Sequence, residues 1–357
     1  MESGPTHQLR IIDANFNRIG EGLRVLEESA RLLLNDVVLT GQLKNLRHQI
    51  LHIDNKLQQR LIGARDAVGD VGVGLEAEEE EKKGREPRDT IIANARRVQE
   101  SLRVLEEIAK EPGLNMESRN YEKARFELYT IEKELLSKML RQDKIKRLTG
   151  LYVIIDMEFL RGRSYIDVVG QVIRGGTKII QLRDKKDSLR DFYTIAVEMQ
   201  KFCAERDVLF IVNDSLEITL AADADGLHVG RDDLPIAEAR RLLPIDKILG
   251  ASAKTVEEAG AAQAAGADYL GVGAMYATVT KAGAAVVGPG RIKEVKKSVN
   301  IPVIAIGGIN KDNISDVVKA GADAAAVISA VMEAVDIEKA TRQLVEIIGG
   351  QKRGELG

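Results

Sequence analysis

Charged and hydroxyl side chains gather at the ends of short apolar runs in the second half of this chain. Gln181-Leu182-Arg183-Asp184-Lys185 follows one run and Asn213-Asp214 another. His228-Val229-Gly230-Arg231-Asp232-Asp233, Ser252, Thr278-Val279-Thr280-Lys281, Gly307-Gly308 and Ile328-Ser329 follow others. Asp214 and Asp233 are separate carboxylates of the kind that hold Mg²⁺, which usually takes one or two carboxylates together with substrate phosphate. Arg183 can fork two phosphate oxygens, and Lys185 and Lys281 add point charges. That is more positive charge than a phosphate monoester needs, and it suits a diphosphate. Gly308 leaves its N–H open to a second anion, and Ser329 adds a hydroxyl. The chemistry implied is a metal-assisted diphosphate pocket beside a monophosphate pocket. No Ser-His-Asp order or strong nucleophile accompanies them. His228 reads equally as a packed histidine, and Cys203, on a helix among apolar residues, reads as core.

These residues need elements that bring them to one place. Apolar runs fall at 152–155, 178–180, 208–212, 226–229, 247–250, 269–273, 302–306 and 324–328. Helical patterns separate most of them, at 189–206, 236–243, 256–265, 314–320 and 337–348. Strands alternating with helices in this way predict a (β/α)8 TIM barrel, an α/β fold whose reactive face is formed by the carboxyl ends of the strands. An open doubly wound sheet is the alternative, and the lack of GxGxxG after the first strand disfavours it.

Composition narrows the partners. The 357 residues hold 52 Lys+Arg against 55 Asp+Glu, so the chain has no overall basic field for nucleic acid. One cysteine excludes an intrachain disulfide and a Cys-based zinc site, and four histidines make no cluster. No apolar run approaches the ~20 residues that cross a bilayer, and MESGPTHQLR lacks the apolar core of a signal peptide. A cytoplasmic setting with small-molecule substrates is expected.

The first half, 1–146, reads as helix almost throughout and contains a repeat. RVLEE occurs at 24–28 and again at 103–107, with Asn15 matching Asn94 and Arg18 matching Arg97. Second helical stretches follow at 43–57 and 121–136, which predicts two hairpins packed as a four-helix, pseudo-two-fold bundle. Glycines and the acidic run at 78–81 make 63–89 a loop. The paired Arg and Glu read as surface ion pairs or as an anion or partner site. Asn15 and Asn94, poor helix formers, are expected to cap or to bond across the pseudo-two-fold. The region is either a homo-oligomerisation module or a ligand- or protein-docking module.

From about 148 to 348 the chain resembles the thiamine phosphate synthase family, through QLRDK, ND, GLHVGRDD, LGAS, TVTK, IAIGGI and VIS in the family's order. The resemblance implies a barrel domain at 147–357 that joins 4-amino-2-methyl-5-pyrimidinylmethyl diphosphate to a thiazole phosphate. It implies that Gln181, Arg183, Lys185, Asn213, Ser252 and Lys281 hold the pyrimidine diphosphate. Arg183, Lys185, Lys281 and Ser252 then carry the catalysis. Asp214 and Asp233 ligate Mg²⁺, and Thr278, Thr280, Gly308, Ile328 and Ser329 meet the thiazole phosphate. The chain departs from the family pattern at Arg231 (usually Gln), Lys254 (usually His) and Ala277 (usually Pro). The first half resembles an extension fused to some members. Two rival readings are an isomerase of the related thiazole-tautomerase group and a non-catalytic phosphate-ligand sensor.

Overall fold

The computed structural model describes residues 4–66, 86–110, 116–278 and 285–354. The chain divides into two compact units, Met1–Leu140 and Arg141–Gly357.

The first unit is helical: α1 (Gly4–Glu28), α2 (Val37–Leu51), α3 (Asn55–Gly63), α4 (Pro87–Ile108) and the larger part of α5 (Ser118–Lys146). A π-helical turn, Ser29–Leu33, extends α1. The single helix expected at 43–57 is instead two. It breaks at His52, and Asp54 caps α3 by accepting from Leu57 N at 2.8 Å. The expected loop at 63–89 also ends early, because Pro87 sits in the first turn of α4. Residues 67–85, including the acidic run, lie outside the described residues. The apolar stripes of all five helices share one core, from Ile12, Ile19 and Leu23 to Leu102, Leu105 and Leu128. A Cβ at Gly22 would fall 2.5 Å from Val98 Cγ2, so α1 and α4 approach closely there.

The repeated residues have equivalent surroundings. Asn15 Nδ2 and Asn94 Nδ2 each donate to the carbonyl four residues back, Ile11 and Thr90, both at 2.8 Å. They neither cap nor cross the pseudo-two-fold. Short amides in a helix satisfy themselves locally in this way. Glu27 and Glu106 are buried, and each meets an arginine of a neighbouring helix, Arg47 at 2.9 Å and Arg125 at 3.0 Å.

The second unit is a closed barrel of eight parallel strands in sequential order. They are β1 (Gly150–Asp156), β2 (Ile179–Arg183), β3 (Leu209–Asn213), β4 (Gly226–Val229), β5 (Ile248–Ala253), β6 (Tyr269–Val272), β7 (Val303–Ile306) and β8 (Ala324–Val327). Around it run α6 (Tyr165–Arg174), α7 (Leu189–Ala204), α8 (Leu216–Ala221), α9 (Ile236–Leu242) and α10 (Val256–Ala264). They are followed by α11 (Gly290–Ser298), α12 (Ile314–Lys319), α13 (Ser329–Met332) and α14 (Ile337–Gly354). Ser164, Ser188, Ser215 and Thr255 cap α6, α7, α8 and α10 by accepting a backbone N–H.

Strand alternation makes two cores. Tyr152, Ile154, Ile179, Leu209, Ile211, Ile248, Tyr269 and Ile304 fill the barrel interior. Leu151, Val153, Ile155, Val212 and Leu270 face the helices. The interior is asymmetric in volume. β8 contributes only Ala324 and Ala326, whereas β1 and β6 contribute Tyr152 and Tyr269. Gly250 makes the room: a Cβ there would overlap the Tyr269 ring and lie 2.5 Å from His228 Nδ1. The last turns of α5, Arg141–Lys146, belong to this unit. Arg141 Nε lies 2.9 Å from Asp268, and Lys144 Nζ 3.4 Å from Asp225.

Candidate active site

The carboxyl ends of the strands open into a cavity of about 490 Å³. Gln181, Arg183, Lys185, Asn213, Asp214, Asp233, Ser252, Thr278, Gly308, Ile328 and Ser329 all line it. Thr280 and Lys281 lie outside the described residues. Gln181 and Arg183 stand in the carboxyl-terminal half of β2, and Ser252 in that of β5.

Arg183 ends β2 beside Asp156, which ends β1 in the same register. The guanidinium lies 2.5 Å from the Asp156 carboxylate, which is fully buried. Asp156 is a site residue that sequence reading missed. The signal was present: a carboxylate closes the apolar run of the first strand, as Arg183 closes the second.

Lys185 pairs with Asp214, which adopts φ +64° and donates its N–H to the His228 carbonyl at 2.8 Å. That turn points the Asp214 carboxyl at the Asp233 carboxyl, and the two are hydrogen-bonded. Burial, followed by the bond to Asp233, raises the Asp214 carboxyl above the usual carboxylate range, with Lys185 pulling the other way. Burial works against charge on Asp233 as well. There the bonds from Asp214 and from Gly230 N, with Lys185 nearby, hold the carboxyl low. Gly230 N donates to Asp233 Oδ2 at 2.8 Å. Two carboxylates this close need a proton or a cation between them. They are the pair able to hold a divalent ion with ligand oxygens. Among the described residues, no group of three or more His, Cys, Asp or Glu converges for a metal.

Below this rim a hydrogen-bonded chain crosses the barrel. Gln181 Nε2 donates to Tyr152 Oη at 2.9 Å. Tyr152 Oη lies 3.2 Å from Tyr269 Oη, and Tyr269 Oη lies 3.2 Å from His228 Nδ1. His228 Nε2 lies 3.1 Å from Ser252 Oγ. Burial pushes the His228 imidazole down to about 4, against the pull of Asp233, so the ring is neutral. Burial also raises both phenols. Tyr152 and Tyr269 were not foreseen. Their inward parity follows from the strand period, but their meeting does not.

The opposite wall is backbone. Gly307 and Gly308 adopt φ +98° and +67°. A Cβ on Gly308 would fall 2.9 Å from Tyr276. Asn313 Nδ2 fixes this turn by donating to the Gly308 carbonyl at 3.0 Å. At the rim, Arg231 pairs with Glu258 at 2.9 Å, and Glu258 also accepts from Lys254 N at 2.7 Å. Two of the departures from the family pattern are thus tied to one carboxylate.

Residues 151–331 match the family model described as thiamine monophosphate synthase, and residues 10–134 match the ThiD2 family. Thiamine-phosphate synthase from Synechocystis is 38% identical over 352 residues, covering 96% of this chain and 97% of the relative. Thiamine-phosphate synthase from Methanospirillum hungatei is 50% identical over 200 residues, 56% of this chain and 97% of the relative. Among solved structures, thiamine phosphate pyrophosphorylase from Pyrococcus furiosus superposes with a TM-score of 0.54 at 41% identity. It covers 58% of this chain and 98% of its own.

Proposed function

The chain belongs to the thiamine monophosphate synthase family, and from that premise we propose that its cavity joins 4-amino-2-methyl-5-pyrimidinylmethyl diphosphate to a thiazole phosphate, releasing diphosphate. The observation that carries this reading is the hydrogen-bonded Asp214–Asp233 pair beneath Lys185, beside Arg183 and Ser252. A diphosphate leaving group needs such a concentration of donors and cation ligands, whereas an isomerisation of a thiazole does not. Asp214 and Asp233 would hold Mg²⁺, whose charge would stabilise the departing oxygens. The facing carboxylates support that assignment, because a divalent ion can take the place of the proton between them.

The mechanism is a dissociative substitution. The C–O bond to diphosphate breaks with its electron pair on oxygen, leaving a cation stabilised by the aminopyrimidine. The thiazole nitrogen then donates its pair to form the C–N bond. No proton changes hands, which accords with a site rich in charge and poor in bases. Arg183 and Lys185 stabilise the charge gathering on the leaving group. Ser252 adds a hydrogen bond, and Asn213 lines the same wall. Lys281 joins them by motif alone. Gly308, Thr278, Thr280, Ile328 and Ser329 would hold the thiazole phosphate and so place its nitrogen.

The test is diphosphate release by the full chain with pyrimidine diphosphate, thiazole phosphate and Mg²⁺, and with each omitted in turn. Release that needs all three, with thiamine phosphate formed, is expected. Metal-independent aromatisation of a thiazole carboxylate, with no diphosphate released, would replace the synthase reading with the isomerase. Lys185→Ala is expected to lower kcat roughly a hundredfold, the usual loss for a donor aimed at developing charge. Thiazole phosphate binding should change little. Asp214→Asn and Asp233→Asn are expected to shift the Mg²⁺ titration to higher concentration.

A further inference from the structure

The interior chain from Gln181 to Ser252 has both its ends in the cavity wall. We propose that His228 is a positioning residue that fixes the direction of this chain, so that Ser252 turns its hydroxyl proton, and Gln181 its carbonyl oxygen, toward the substrate. The proposal rests on the reading of the cavity as a pyrimidine diphosphate site.

The direction follows from counting donors. Neither nitrogen of His228 bonds a carboxylate; both face hydroxyls. A ring in that position carries one proton, so it has one donor and one acceptor. Gln181 Nε2 donates to Tyr152, which passes its own proton to Tyr269, which passes its proton to His228 Nδ1. The imidazole hydrogen is then on Nε2 and is given to Ser252 Oγ. Ser252 is left with one hydrogen, and it points at the cavity. Gln181 gives one of its two amide hydrogens to Tyr152, and with the amide turned that way it offers Oε1.

The two ends ask for the same direction. An anionic leaving group beside Ser252 needs a donor, and an exocyclic amine beside Gln181 needs an acceptor. Reversal would present lone pairs to the anion and N–H groups to the amine. The ring cannot swing out of line, because the small residues around it fit it closely. His228 pairs in register with Gly250, and a Cβ on Gly271 would lie 3.1 Å from His228 Cε1.

The experiment is ¹⁵N–¹H correlation of the histidine rings in the full chain, in a variant lacking His7, His48 and His52 so that only His228 gives signals. The expected result is hydrogen on Nε2 and a bare Nδ1. Hydrogen on Nδ1, or on both nitrogens, would overturn the proposal. Tyr269→Phe removes the donor to Nδ1. It is expected to mix the tautomers and to raise KM for pyrimidine diphosphate about tenfold, as loss of one well-formed hydrogen bond does. KM for thiazole phosphate should be unmoved. Unchanged tautomer and KM in that variant would also overturn the proposal. If the chain with Tyr269 intact shows Nε2–H on His228 but turns over no pyrimidine diphosphate, the site reading fails and takes the substrate ends of the proposal with it. If it turns over normally with Nδ1–H, the proposal alone fails.

Discussion

Arg183 faces the cavity on one side and supports the barrel on the other. Asp156 lies wholly inside, and Arg183 is the cation on it, at 2.5 Å. Removing one partner of such a pair leaves a charge without compensation, a loss of about 3–5 kcal/mol. Arg183→Ala is therefore expected to lower unfolding free energy by that order, and Asp156→Asn in the same chain should restore most of it. Urea unfolding of the two variants measures this, and a stable single variant would show that Asp156 does not depend on Arg183. The catalytic part of the Arg183 effect is read from the double variant, where stability no longer confounds it. His228 gives a second prediction at this scale. Its ring is held near 4 in the folded state, against an ordinary value of 6.5. Between those values the unfolded chain binds a proton that the folded chain refuses, so stability falls as pH drops from about 6.5 to about 4. His228→Gln should flatten that part of the urea-midpoint profile. An unchanged slope would mean that other groups set it.

At the scale of elements, the barrel was legible because each strand is a short apolar run ended by glycine or a polar residue, and because helical patterns separate most of these runs. The cavity residues were legible for a related reason: polar and charged residues close most of the strands at their carboxyl ends, where this fold places its reactive face. The Gln181–Ser252 chain was not. It joins β1, β2, β4, β5 and β6, and which inward side chain meets which depends on barrel closure and register, not on period. The break between α2 and α3 was missed because a helical pattern continues across it, while the cap at Asp54 acts over a few residues. Gly250 tests the element-level account. The β5 backbone is compatible with any residue there, but a Cβ would overlap Tyr269 and His228. Gly250→Ala should cost about 1–3 kcal/mol by overpacking and should raise KM for pyrimidine diphosphate as Tyr269→Phe does. A variant of normal stability and KM would show that the interior has slack that the close contacts do not suggest.

At the scale of the molecule, one question is where the barrel begins. The sequence change near Arg147 marks the first strand, but the compact unit starts at Arg141. The difference has a physical cause. Asp268 is buried, and it is neutralised by Arg141 at 2.9 Å and Arg240 at 3.1 Å. Asp225, near the same end of the barrel, takes Lys144. A chain of 141–357 keeps these partners, and one of 147–357 loses both. The first is expected to fold and release diphosphate like the full chain; the second should lose about 3 kcal/mol or more through the half-compensated Asp268. Cys203 reports the difference directly. It is the sole thiol, fully buried in the barrel core, and burial pushes it up to about 12, so a thiol reagent near neutral pH reaches it through unfolding. Slow labelling of 141–357 and fast labelling of 147–357 are expected. Equal labelling of the two chains would make the Arg141 pair dispensable. Loss of diphosphate release by 141–357 while its Cys203 stays protected would mean that the helical unit takes part in the chemistry rather than in holding the fold.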